Sequence, residues 1–230
     1  MTLRRLVVVI AVVEVILAAA GSLTDRAALR GSGAFALIGV ALAQTLCVLL
    51  VRYGPFSNRS AAIRIGVGIG LVAGGMYGAE VVAEYLSPTV TDASVVIGWI
   101  IVIGLVAAAV LASTVASLRE RSLRAGITAA VYAMVFEYLT WYPVVLLSYY
   151  AFRTSPATDR VWRAEGTYDD FARSGMTDLH AFVIQDFWGA GTFHLLAGLT
   201  IAAVFGTITA TLPLLLRKPA PGSARTSTAR

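Results

Sequence analysis

The chain has 230 residues, of which 58% are hydrophobic and only 13% charged, and its mean hydropathy is +0.78. Soluble domains run at about 45–50% apolar and about 25% charged residues. The gap excludes a disordered chain, a nucleic-acid-binding domain and a soluble α/β enzyme, and it leaves an all-α polytopic membrane protein built as a single domain. The net charge of +5 fits this reading, because the cations are scattered over short hydrophilic gaps and not gathered on one face. Cys47 is the only cysteine, which excludes an intrachain disulfide and a thiolate metal cluster. All cations but Lys218 are arginines, and Ala, Gly and Val abound, a composition that suggests a GC-rich bacterial genome.

A helix needs about 20 apolar residues to cross about 30 Å of hydrocarbon. The first such run, Leu6–Leu23, carries Glu14 near its middle. Arg4-Arg5, the apolar run and Ala18-Ala19-Ala20 also resemble a cleavable signal peptide, against which the charge of Glu14 argues. The second run, Gly33–Val51, holds Cys47 as a small buried hydrophobe, with Gln44 and Thr45 as its polar members. The third, Ile65–Leu86, has Gly66, Gly70, Gly74 and Gly78 at four-residue spacing, with Glu80 and Glu84 in its last turns. Small residues at that spacing let two helices approach closely, which supplies in lipid what the hydrophobic effect supplies in water. The fourth run is Ser94–Leu118. The fifth, Ala125–Tyr149, has Glu137 at its centre among Tyr132, Tyr138, Trp141 and Tyr142, followed by Pro143. Proline removes a backbone hydrogen bond there, which points to a cavity beside the acid. Tyr149 and Tyr150 read as an outer aromatic belt.

A long hydrophilic stretch, 150–188, comes next. Its second half has Thr177 as a cap and Leu179, Phe182, Val183 and Phe187 at helical spacing. This predicts an interfacial helix lying apolar face down, with a turn at Gly189-Ala190-Gly191 into the sixth run, Gly189–Leu216. The sixth run carries His194 and a row of small residues that includes Gly198 and Gly206, so it is expected to pack against the glycine face of the third. The tail, 217–230, reads as disordered.

Charge tests the count. With the N-terminus inside, Arg4, Arg5, Arg52, Arg59, Arg64, Arg119, Arg121, Arg124, Arg217, Lys218, Arg225 and Arg230 are cytoplasmic, twelve of the eighteen cations. Positive residues near span ends favour that side. The expectation is six spans in a bacterial cytoplasmic membrane with both termini inside.

The residues that stand out are ionisable groups inside apolar spans. An ionised acid at the midplane costs about 2.5–3.5 kcal/mol on insertion scales, so it pairs, faces water or marks a function. Glu14, Glu80, Glu84, Glu137 and His194 are the candidates for a proton or cation path, with Asp178, His180 and Asp186 joining from the outer loop. If the third and sixth spans pack together, Glu80, Glu84 and His194 share an outer depth and form a site for proton relay or a divalent metal. No other cofactor is implied. The leading functional reading is a small transporter, or a membrane subunit of a transport system, with the bilayer and other membrane subunits as partners and no nucleic acid. A membrane-embedded enzyme with a Glu/Glu/His site and a non-catalytic assembly subunit are the rivals.

Overall fold

The computed structural model describes residues 2–53, 60–86 and 92–215, the side chains of 92–98, 100–102, 213 and 214 excepted. All regular structure among the described residues is helical. The order is α1 (Leu3–Thr24), a 3-10 turn (Arg26–Leu29), α2 (Gly33–Tyr53), α3 (Ala61–Leu86), α4 (Asp92–Glu120), α5 (Leu123–Phe152), α6 (Pro156–Ala164), α7 (Thr167–Ser174) and α8 (Leu179–Leu215). Six helices, α1 to α5 and α8, are long and apolar enough to cross a membrane. Their outward faces are apolar, with Val12, Ile16, Phe35, Leu42, Val72, Met76 and Phe193 among many exposed hydrophobic residues. The chain is a multi-pass helical membrane protein. The expected tail, 217–230, lies outside the described residues.

The organising element is α5. Most of its residues are buried, and α1, α3, α4 and α8 all pack against it. Small residues make this possible. A Cβ added at Gly66, Gly70 or Gly74 of α3 would lie 2.4 Å from the carbonyl oxygen of Ala129, Ala133 or Glu137 of α5. The register advances by four residues on both helices, so α3 and α5 run parallel with backbones nearly touching. On another side of α5, Gly198 and Gly206 of α8 face Met134 and Ala130, in antiparallel register. Ser113 Oγ of α4 donates to the carbonyl of Gly206 at 2.6 Å and ties α4 to α8.

This corrects the expected partnership. The glycine face of the third span packs on the fifth span and not on the sixth. The fifth has its own stripe of Ala125, Ala129, Ala130 and Ala133, which admits neighbours on two sides, so α3 and α8 each pack their small residues on α5.

The outer region is also corrected. No turn breaks the chain at Gly189–Gly191, and α8 runs uninterrupted for 37 residues. At about 1.5 Å per residue this is about 55 Å, well beyond a hydrocarbon core of about 30 Å. Its first turns therefore stand outside the core as part of the same rod. Gly191 serves close approach instead: a Cβ there would lie 2.2 Å from the Tyr142 ring. Asp178, not Thr177, caps α8 by accepting from the backbone N–H of Ala181 at 3.1 Å. The apolar side of this extension packs on α6 and α7, with Phe182 against Phe171 and His180 against Trp162, each at 5.8 Å between rings. A short amphipathic pair thus covers the face that the sequence reading assigns to the membrane interface.

Tyr149 and Tyr150 are turned inward and form no lipid-facing belt. The Tyr150 hydroxyl donates to the carbonyl of Leu17 at 2.6 Å, and that of Tyr149 to the carbonyl of His180 at 3.0 Å. Tyr149 also meets Asp25, which is paired with Arg153 at 2.7 Å. This knot joins the C-terminal ends of α1 and α5 to the N-terminal end of α8.

Candidate functional site: a buried glutamate–histidine pair

Glu137 occupies the middle of α5, about 20 Å of helix from either end. His194 of α8 meets it there. His194 Nε2 lies 3.0 and 3.1 Å from the two carboxylate oxygens, centred on the carboxylate. The Glu137 side chain is 1% exposed and that of His194 15% exposed. A carboxylate so buried needs a partner, and the imidazole supplies it. With the ring protonated the contact is an ion pair; with the ring neutral it is a single N–H···O hydrogen bond.

Aromatic rings frame the pair. Trp141 stands one turn after Glu137 on α5 and stacks on the His194 ring at 4.3 Å between centroids, 24° from parallel. Tyr77 of α3 closes the third side, its ring edge-on to His194 at 5.7 Å and to Trp141 at 6.0 Å. The backbone is anchored as well, because the carbonyl of Glu137 is the one against which Gly74 packs. Three helices therefore hold the imidazole and carboxylate in place. The indole N–H of Trp141 is buried without a hydrogen-bond partner among the described residues.

A second polar site lies on another face of α5. Glu14 of α1 is fully buried and accepts a short hydrogen bond from Gln44 Nε2 of α2. The same nitrogen is 3.0 Å from the hydroxyl of Tyr138, which stacks on Tyr142 at 5.3 Å. Among the described residues, Glu14 Oε1 and Gln44 Oε1 have no hydrogen-bond partner. Glu137 and Tyr138 are neighbours in sequence but about 100° apart around the helix, so they serve different sites. Gln44 therefore does not share a cavity with Glu137, and Thr45 is exposed and bonds back to the carbonyl of Ala41 at 2.8 Å.

The expected cluster of Glu80, Glu84 and His194 does not form. The two acids stay in the C-terminal half of α3, one turn apart, while His194 is bound to Glu137 at the middle of α5. Tyr77, one turn before Glu80 on α3, is the residue of that helix whose ring meets His194. Glu84 lines a cavity of about 160 Å³ at that end of α3, walled by Tyr85, Trp162 and Phe187, that also takes in Glu165 and Asp186. Desolvation, and then the charge of Glu80, push the Glu165 carboxyl above its usual range. Among the described residues, no three His, Cys, Asp or Glu side chains converge as a metal site. Asp178 is occupied as a helix cap, and His180 packs on Trp162 with its Nδ1 unpartnered among the described residues.

Two residues escape the sequence reading: Tyr77 beside the pair, and Glu165 in the cavity with Glu84. Tyr77 lies one turn before Glu80 and beside the glycine face, so helical spacing was the available signal. Glu165 ends α6 in the hydrophilic loop, where no periodicity distinguishes it.

Compared with protein-family models, curated proteins and solved structures, the chain matches none. The class of protein is thus defined by the fold, and its action must be argued from the site.

Proposed function

We propose that this protein is a small transporter, or the membrane subunit of a transport system, in which the Glu137–His194 pair takes up and releases a proton or cation. The observation that carries the reading is the pair itself: a carboxylate and an imidazole in direct contact at mid-height of a membrane bundle. Such groups are costly in lipid and serve ion pathways and proton relays in membrane proteins. The contact exists as an ion pair or as a neutral hydrogen bond, two forms that differ by one proton, so the pair can take up and release it. Tyr77, Glu80 and Glu84 mark the side of α3 along which a path to the cavity at Glu84 runs. Glu14 with Gln44 and Tyr138 would hold a second ion near mid-span. The clustering of arginines at span ends supports a bacterial cytoplasmic membrane with both termini inside.

The test is proton movement in proteoliposomes that enclose a pH-sensitive dye, driven by a potassium diffusion potential. Wild-type protein is expected to carry protons, and Glu137→Gln and His194→Gln are expected to abolish the flux while eluting as folded protein. Flux that is absent in wild type, or unchanged in both variants, removes the proposal.

A further inference from the structure

The geometry points to a binding site for one anionic phospholipid in the groove between α1 and α2, with its phosphate held by Arg4, Arg5 and Arg52. The two helices are antiparallel neighbours, so the first turn of α1 and the last turn of α2 lie at the same end. There a cavity of about 510 Å³ is lined by Arg4, Arg5 and Arg52 together with Thr2, Val8 and Val48. All three arginines are exposed, and among the described residues none is paired with a carboxylate. The guanidinium of Arg52 lies over the ring of its neighbour Tyr53 at 5.4 Å, which leaves its N–H edge open to an acceptor.

The groove then continues into the bilayer. A second cavity of about 410 Å³ shares Val8 and Val48 with the first and runs on past Leu49, Gln44 and Val12 to Ile16 and Ala41. Its walls are apolar, and Val12 and Ile16 are more than half exposed on the outer face of the bundle. The length decides the occupant. From Arg5 to Ile16 the helix rises about 16 Å, close to half of a hydrocarbon core of about 30 Å. A basic mouth at the membrane surface followed by an apolar trough one leaflet deep matches a phospholipid, head and chain, and is deeper than a free phosphate or a soluble anion requires. Basic pockets between transmembrane helices bind anionic headgroups, and each arginine near the surface contributes about fivefold in affinity. Guanidinium groups also meet phosphate oxygens in paired hydrogen bonds, whereas a zwitterionic headgroup offers them a competing ammonium.

The experiment uses the full chain in nanodiscs of phosphatidylcholine, with and without phosphatidylglycerol, and in mild detergent for native mass spectrometry. Wild type is expected to retain phosphatidylglycerol over phosphatidylcholine and to melt higher when it is present. Arg52→Gln should weaken retention about fivefold, and the triple Arg4→Gln, Arg5→Gln, Arg52→Gln variant by far more. Ala41→Trp, which fills the trough and leaves the arginines in place, should lose the lipid as well. Phosphatidylglycerol with a photoreactive chain should crosslink in wild type to residues of α1 and α2, a readout that requires no variant. Equal retention of both lipids, retention undiminished in the folded triple variant, undiminished retention in Ala41→Trp, or crosslinks spread around the bundle would each overturn the site.

Discussion

The contact between Glu137 and His194 makes a quantitative prediction about coupling. Replacing His194 by Ala leaves a carboxylate that is 1% exposed with its imidazole partner gone. Breaking a buried ion pair from one side costs about 3–5 kcal/mol, because the remaining charge is uncompensated. A neutral interhelical hydrogen bond in a membrane protein averages only about 0.6 kcal/mol. His194→Ala is therefore expected to destabilise the bundle by about 3 kcal/mol. Glu137→Gln, which leaves no buried charge, should cost less, and adding Glu137→Gln to His194→Ala should recover part of the loss. The coupling energy from the double-mutant cycle is expected at about 1–3 kcal/mol. Reversible unfolding in mixed micelles with increasing dodecyl sulfate provides the assay. Trp141, stacked on the imidazole at 4.3 Å, makes indole fluorescence a local probe as well as a global one. Additivity within about 0.5 kcal/mol would refute the reasoning, because two groups bonded at 3.0 Å would then be energetically independent.

Other consequences can be checked with the same material. Gly70→Val places a Cβ 2.4 Å from the Ala133 carbonyl oxygen and should cost at least about 1–3 kcal/mol in unfolding, whereas Gly68→Ala, at a position with open space, should stay within about 0.5 kcal/mol. Gln44→Leu removes the donor shared by Glu14 and Tyr138 and should destabilise by about 1–3 kcal/mol or more, exceeding Glu14→Gln in the same denaturation series. On the outer surface, the Arg163 guanidinium and then the Tyr168 hydroxyl hold Asp159 below the usual carboxylate range. Its folded value is depressed, so the contact's contribution is present above the ordinary Asp value of about 3.9 and is lost as pH falls through the lower folded value. A carboxyl-carbon NMR titration should give a midpoint below about 3.9 for Asp159, moving back up in Arg163→Gln; an unshifted midpoint would exclude the contact in solution.

Much of the fold was legible because lipid imposes simple rules. A span needs a long apolar run, so the positions of α1 to α5 could be read from hydropathy alone. The membrane-buried acids were legible for the same reason, since a carboxylate stands out against valine and alanine. The small-residue stripes were legible as surfaces of close approach. What could not be read was which surfaces meet. The third and sixth spans both carry such stripes, yet each packs on α5, whose alanines were hidden among the residues of an ordinary apolar helix. The turn expected at Gly189–Gly191 failed because glycine in a helix has two uses, and here the Tyr142 ring demands its missing side chain.

The site divides in the same way. Composition and spacing determined by themselves that Glu14, Glu80, Glu84, Glu137 and His194 lie in apolar spans and that each needs an explanation. Only the tertiary structure decided their partners: His194 goes to Glu137, Glu14 to Gln44, and Glu84 to a cavity with Glu165 and Asp186. The physical reason is range. Burial cost is a property of one residue and its immediate apolar neighbours, so it is written locally in the chain. Pairing depends on which helix rotates which face toward which neighbour, and contacts between residues 30 and 57 positions apart settle that through the packing of whole helices.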